Sequence, residues 1–80
     1  MPKFPVDAPK RRVLKALELL GFQIVREAEH IALARNNSDG SKTTMTIPNH
    51  SAVKSSTLQT ICTKAGIKRD DFLTAYERSK

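Results

Sequence analysis

The sequence predicts a small α+β domain in which a helix, three antiparallel strands and a second helix follow one another, with a short extra helix at the C-terminal end. A helical apolar period ends at a glycine, three short stretches of alternating apolar and polar residues come next, and two more helical periods follow. A meander of three strands needs a cover on one face, which amphipathic helices supply. At 80 residues, the chain has the length of one domain.

The beginning of the chain predicts a flexible N-terminal arm over residues 1–6, ahead of a single domain over residues 7–80. Pro2 and Pro5 disfavour regular structure in the arm. Its apolar residues, Phe4 and Val6, can still pack against the domain.

The first helix has a predicted start at Asp7 and an end at a glycine. Asp7 is the expected N-cap, and Pro9 falls in the first turn, where a missing N–H group costs little. Gly21 ends the helix just beyond its C-cap. Apolar side chains recur at helical spacing along it: Val13, Leu14, Leu17 and Leu20.

Three strands are predicted over residues 22–27, 30–35 and 42–47. Ala28 and Glu29 form a tight connection between the first two strands. A turn-rich segment of Asn, Ser, Asp and Gly precedes the third strand, which is rich in Thr, Met and Ile. A proline ends that third strand.

Alternation assigns each strand residue to one of the two faces of the sheet. If Ile31 and Leu33 face the helices, His30 faces the open side and is exposed or partly exposed. The same alternation puts Arg26 and Arg35 in phase with the apolar residues. Both arginines are therefore expected at strand ends, pointing around the edge of the sheet.

The second half of the chain predicts a loop over residues 49–54 and then two helices. Ser55 or Ser56 is the expected N-cap of the first of these, and Gly66 ends it. Its apolar stripe consists of Leu58, Ile61, Cys62 and Ala65. The last helix covers about residues 69–78, with two aspartates at its positive end. The resulting order is the layout of the double-stranded-RNA-binding domain, an analogy of fold alone.

Charge and cysteine content narrow the class of partner. The net charge of +6 and the pI of about 9.9 favour a polyanion: nucleic acid, an acidic protein or an anionic membrane surface. Cys62 is the only cysteine, which excludes an internal disulfide and a multi-cysteine zinc site and suits a reducing cytoplasm. The N-terminal residues contain no long apolar run, so neither a signal peptide nor a membrane span is predicted.

Five short pieces of the chain follow one another in a recognisable order and spacing. They are Gly21-Phe22 after the first helix, His30 at the start of the second strand, Thr46-Ile47-Pro48-Asn49-His50 at the end of the third, Thr57-Leu58 to Ile61 in the next helix, and Ala65-Gly66-Ile67 at its exit. With these pieces the chain resembles, over roughly residues 12–72, the HicA toxins. These are small ribonucleases that cleave messenger RNA and are held inactive by HicB antitoxins.

The resemblance departs at the connection before His30, where the family usually has Gly-Ser and this chain has Ala28-Glu29. A glycine turn would let backbone N–H groups approach a phosphate. The Glu29 carboxylate would repel a phosphate held close to it. Because adjacent strand residues point to opposite faces, Glu29 can act on His30 only if the turn brings the two side chains together.

The resemblance implies that His30 is the catalytic residue of a metal-independent endoribonuclease. An RNA strand can be cut when its own 2′-OH attacks the adjacent phosphate, a reaction in which the enzyme moves two protons and stabilises the developing charge. Histidine suits either proton transfer because its unperturbed pKa is about 6.5. The sequence offers no spaced set of metal ligands, so neither a metal nor another cofactor is expected.

Basic residues near the predicted sheet are expected to hold the RNA backbone. Arg35 and Lys42 flank the turn that leaves the second strand, and Lys54 follows His50 in the loop. These four residues form the predicted RNA-binding set. His50 has alternative interpretations, as a second proton donor or as a loop residue that bonds to the nearby backbone.

The leading hypothesis is therefore the toxin of a toxin–antitoxin pair, an mRNA-cleaving enzyme whose partners are RNA and a HicB-like antitoxin. One alternative is a non-catalytic nucleic-acid-binding module of the same fold, which the Ala28-Glu29 departure favours. The other is a decayed toxin that retains only antitoxin binding. A comparison of RNA cleavage by the wild type and His30→Ala separates the first two hypotheses, and growth during expression tests the third.

Overall fold

The computed structural model describes residues 3–79 and confirms the predicted α+β class and the order of the main elements. Its elements are β1 (Asp7–Pro9), α1 (Lys10–Leu19), β2 (Gln23–Glu27), β3 (His30–Asn36), β4 (Lys42–Pro48), β5 (Ala52–Lys54), α2 (Ser55–Ala65) and α3 (Arg69–Arg78). The strands β2, β3 and β4 form an antiparallel sheet in that order, and β1 pairs with β5. Among the described residues, no helix has the length and apolar character needed to cross a membrane.

The hydrophobic core lies between the helices and one face of the three-stranded sheet. Successive strand residues point to opposite faces, so the large apolar side chains of β3 and β4 lie together on one of them. The strands contribute Ile31, Leu33, Met45 and Ile47, and the largest helix contributions are Val13, Leu17, Leu58, Ile61 and Phe72. Because the helices cover this one face, the opposite face of β3 and β4 stays largely exposed.

The start of α1 differs from the prediction, since the helix begins at Lys10 and not near Asp7. Asp7 lies in β1, where it pairs with Lys54 of β5. Pro9 occupies the N-cap with an extended ψ of 133°, and no side chain caps the helix. Asp7 is therefore not an N-cap, because pairing with β5 keeps residues 7–9 extended.

The predicted loop over residues 49–54 is wrong in its second half, where Ala52–Lys54 forms β5. Lys54, in an extended conformation, is the N-cap of α2, and no side chain bonds to the free N–H groups of the first turn. Neither Ser55 nor Ser56 therefore caps this helix. Because β5 ends at Lys54 and the helix begins directly after it, Lys54 occupies the N-cap position and both serines lie inside the helix.

Two glycines end helices as predicted. Gly21 follows α1 with a φ of +98°, and Gly66 ends α2 with a φ of +69°. This left-handed conformation is costly for a residue with a Cβ atom. Beyond Gly66, the N–H of Ile67 donates to the carbonyl of Cys62 at 2.8 Å, and the Ile67 side chain is buried against the core.

Arg12 and a row of aromatic rings fasten α3 to the rest of the domain. The Arg12 guanidinium lies 3.8 Å from the centre of the Tyr76 ring, and its Nη2 donates to the Tyr76 carbonyl at 2.9 Å. Phe72 is fully buried, with its ring centre 5.8 Å from that of Phe4 and 6.0 Å from that of Tyr76. The last helix therefore completes the core.

The N-terminal arm makes one of the two contacts expected of it. Phe4 packs against the core, whereas the side chain of Val6 is 75% exposed and only its carbonyl bonds to the start of α2. Residues 1–2 and 80 lie outside the described part of the chain. The flexibility of the arm over residues 1–6 stays a prediction.

We expect Cys62 to resist alkylation in the native protein. The side chain is 3% exposed, and burial raises the pKa of its thiol from 9.0 to about 11. At pH 8 this shift alone lowers the reactive thiolate fraction about 100-fold. Labelling with iodoacetamide should therefore be at least that much slower in buffer than in guanidinium chloride, and equal rates would contradict the burial.

Candidate functional site

The exposed face of the three-stranded sheet carries His30, the predicted catalytic residue. His30 is exposed, as expected, and begins β3 opposite Pro48 of β4. The residues that share this face are small or polar: Ala32 and Ala34 of β3, with Lys42, Thr44 and Thr46 of β4. We call this surface the open face. Its short side chains leave room for an extended ligand next to His30.

A β-bulge in β2 turns Arg26 onto the open face. Ile24 pairs with the buried Leu33, and Arg26 pairs with Ala32, so the register shifts at Val25 between them. Such a bulge reverses the alternation beyond it. The expectation that Arg26 stays in phase with the apolar residues is therefore wrong. Arg26 lies on the same face as His30.

His30 and Arg26 line one open depression of about 440 Å³ at the end of the sheet. Its described lining consists of Arg26, Ala28, Glu29, His30, Ala32 and Thr46. We call it the His30 depression. It brings together a cation, a carboxylate and an imidazole, all three of them exposed to solvent.

The connection before His30 places Glu29 in the same depression. Glu29 lies in a bend between β2 and β3, so the alternation of a strand does not separate its side chain from that of His30. The turn therefore brings the two side chains to one surface. Both Ala28 and Glu29 have negative φ, so this turn does not require glycine.

Asn49 forms hydrogen bonds to the backbone of the turn made by Ala28 and Glu29. Its Nδ2 donates to the carbonyl of Ala28 at 2.7 Å, and its backbone N–H donates to the carbonyl of Glu29 at 3.2 Å. The Nζ of Lys10 donates to Asn49 Oδ1 at 2.7 Å. Three hydrogen bonds on one residue thus connect the turn, the end of β4 and the start of α1.

We expect the change Asn49→Ala to loosen the turn in front of His30. The variant removes both side-chain bonds of Asn49. The amide of Ala28, which donates to the His30 carbonyl, reports on the turn. If the turn loses about 1.4 kcal/mol of stability, this amide should exchange about tenfold faster. Amide exchange followed by NMR measures this. Asn37→Ala is the matched control, because Asn37 makes three side-chain bonds at the β3–β4 turn. Equal Ala28 exchange in both variants would contradict the role of Asn49.

Arg35 lies on the side of the sheet that faces the helices. Its guanidinium is 4.7 Å from the centre of the Phe22 ring, and its Nε donates to Asn37 Oδ1 at 3.2 Å. Its Nη1 donates to the carbonyl of Leu20 at 3.4 Å. Arg35 is half-buried, and the structure does not bring it together with His30.

The other predicted RNA-binding residues lie at separate places around the open face. Lys42 is exposed on this face at the opposite end of β4, about 20 Å along the strands from His30. His50 and Lys54 line a second depression of about 450 Å³ that also includes Pro48. Because Pro48 pairs with His30, this second depression borders the first.

The sequence did not predict the roles of two residues of the site. Arg26 lies on the open face, and Asn49 bonds to the backbone of the turn before His30. The bulge that places Arg26 depends on strand pairing and carries no signal of its own in the sequence. Asn49 does have one, because an asparagine after a strand-ending proline offers two donors and an acceptor. Among the described residues, no group of three His, Cys, Asp or Glu side chains is placed to hold a metal ion.

A model of one protein family matches residues 11–67, and its description is HicA toxin of bacterial toxin-antitoxin. The matched range contains the three-stranded sheet, α2 and every residue of the His30 depression. No curated protein and no solved structure matches the chain significantly. The family match covers well over half of the chain and agrees with the α+β order of its elements. The chain belongs to the HicA family, the toxins of bacterial toxin–antitoxin pairs, and an antitoxin is accordingly its partner.

Proposed function

We propose that the protein is an endoribonuclease that cleaves messenger RNA without a metal ion, with His30 as its proton-transfer residue. The observation that carries this proposal is the placement of His30 beside Arg26 in an exposed depression within the range of the family match. A histidine at a solvent-exposed surface with a neighbouring cation has the chemistry that RNA cleavage needs.

The proposed reaction is attack by the RNA's own 2′-OH on the adjacent phosphate. His30 transfers a proton during this step, and the guanidinium of Arg26 offsets the negative charge that develops on the phosphoryl oxygens. The bond from phosphorus to the 5′ oxygen then breaks. The products are a 2′,3′-cyclic phosphate and a 5′-hydroxyl.

The RNA backbone follows the open face in this proposal. Lys42 lies at the far end of that face, and His50 and Lys54 border the His30 depression on its other side. Together with the net charge of +6, these residues attract phosphates on both sides of the cleaved bond. Arg35 would contact only RNA that wraps around the sheet edge, since its present partners lie on the helix-covered side.

The antitoxin, in the same proposal, is HicB-like and inhibits the toxin by covering the open face. An acidic surface on the antitoxin would complement Arg26 and Lys42, which both lie on this face. RNA and antitoxin would then compete for one surface. The proposed place of action is the cytoplasm, where mRNA is available.

A cleavage assay with a modified substrate tests the proposed function. The purified protein is incubated in EDTA with a short RNA and with the same RNA carrying 2′-deoxynucleotides throughout, and the product ends are analysed. We expect cleavage of the first substrate alone, with cyclic-phosphate ends. Binding of both without cleavage would overturn the proposal in favour of a nucleic-acid-binding module, and tight antitoxin binding without either activity would indicate a decayed toxin.

A further inference from the structure

We propose that Glu29 is the second proton-transfer group of the site, the base that accepts the proton of the 2′-OH while His30 protonates the leaving 5′ oxygen. This inference rests on the proposed ribonuclease function and assigns its two proton transfers to two different residues. Glu29 stands where the family usually has serine, so the assignment concerns this chain.

The first observation is the location of the carboxylate. Glu29 and His30 line the same depression because Glu29 belongs to the turn and His30 to the first position of β3. A base and an acid on either side of a phosphate are what the cleavage reaction requires. Adjacent residues in one strand could not provide this, because they would point to opposite faces.

The second observation is the absence of a competing group among the described residues of the depression. Glu29 and His30 are the residues of its described lining whose side chains can act as a general acid or base. Glu27 pairs with Ile31, whose side chain is buried on the helix-covered side. His50 lines the neighbouring depression. Glu29 is therefore the acid–base partner that shares a depression with His30.

The third observation concerns charge and rigidity. A carboxylate repels phosphate, but Arg26 in the same depression supplies the opposite charge. The backbone of the turn is held by Asn49, and Lys10 bonds to Asn49 from α1. The carboxylate thus extends from a turn whose backbone is hydrogen-bonded, and the cation in its depression is Arg26.

The proposed step balances in atoms and protons. The Glu29 carboxylate takes the 2′-OH proton as the 2′ oxygen forms its bond to phosphorus. The bond to the 5′ oxygen breaks as the imidazolium of His30 donates its proton to that oxygen. Glu29 ends protonated and His30 neutral, and exchange with water restores both groups. The reaction needs an unprotonated base and a protonated acid at the same time, so the rate should fall on both sides of a pH optimum.

The test compares Glu29→Gln with Glu27→Gln, a matched control that removes the same charge two residues away. We expect E29Q to lower kcat by about 10²–10³-fold and to abolish the low-pH limb of the rate profile. Binding of an uncleavable 2′-deoxy substrate should be unchanged or tighter. E27Q should keep both the rate and the profile, and Glu29→Asp should keep the low-pH limb at a reduced rate.

A substrate with sulfur in place of the 5′ bridging oxygen assigns the acid and the base. Thiolate leaves without a proton, so this substrate should restore cleavage by His30→Ala and leave E29Q slow. If His30→Ala is inactive on normal RNA while E29Q keeps its rate and low-pH limb, Glu29 is not the base and the ribonuclease function stands. If the wild type cleaves no RNA, or His30→Ala cleaves normally, the proposed function itself fails.

Discussion

Replacing His30 with alanine should lower the rate of RNA cleavage by about 10²–10⁴-fold, the contribution of one general acid or base. The loss should appear in kcat, because His30 acts on the reacting atoms and the phosphate contacts of Arg26 and Lys42 remain. His30 is exposed at the start of β3, so the free energy of unfolding should change by less than about 0.5 kcal/mol. Single-turnover cleavage and urea denaturation measure the two quantities.

The change His50→Ala provides the comparison for this prediction. His50 lies in the neighbouring depression with Lys54, so its loss should raise KM and leave kcat within a few fold. A kcat for His30→Ala close to that of the wild type would remove His30 from the mechanism. An equal collapse of kcat in both variants would instead identify His50 as a proton donor.

Replacing Phe72 with alanine should cost about 3–5 kcal/mol of unfolding free energy, the usual penalty for deleting a buried aromatic ring. Phe72 is fully buried and contacts the rings of Phe4 and Tyr76. A domain of 80 residues has roughly 4–12 kcal/mol of stability in total, at about 0.05–0.15 kcal/mol per residue. The variant should therefore lose a large part of its stability, and circular dichroism in urea measures the loss.

Two further variants test whether the loss of unfolding free energy comes from the buried ring of Phe72 or from any substitution in a helix. Phe72→Leu keeps most of the volume and should cost about 1–2 kcal/mol. Leu19→Ala removes a side chain that is 52% exposed at the end of α1 and should cost less than about 1 kcal/mol. A loss below about 1 kcal/mol in Phe72→Ala would contradict the place of α3 in the core.

The order of the main elements could be predicted from the sequence because each depends on local periodicity. The helix ends at Gly21 and Gly66 and the extent of α3 follow from patterns within a few residues. The strands β1 and β5 could not be predicted in the same way. Each has three residues, too few for a visible alternation, and they stabilise each other only across a long loop.

The features of the site also differ in whether they depend on the local sequence or on contacts between distant residues. The exposure of His30 follows from the alternation of β3 alone. Arg26 lies on the open face only because of the bulge in β2. Glu29 and His30 share a depression because of the backbone conformation of the turn between β2 and β3. The side chain of Asn49 bonds to two partners that lie 21 and 39 positions away from it in the sequence. No local pattern predicts such distant contacts.

The pairing of β1 with β5 also has a consequence for the order in which the chain folds. Residues 7–9 meet residues 52–54, and closing a loop of about 45 residues costs about 3 kcal/mol of chain entropy. The hairpins of the meander close far shorter loops and should form earlier. During synthesis, the segment ahead of α1 must wait until residue 54 has left the ribosome. The pairing of β1 with β5 is therefore expected to form after the hairpins of the meander.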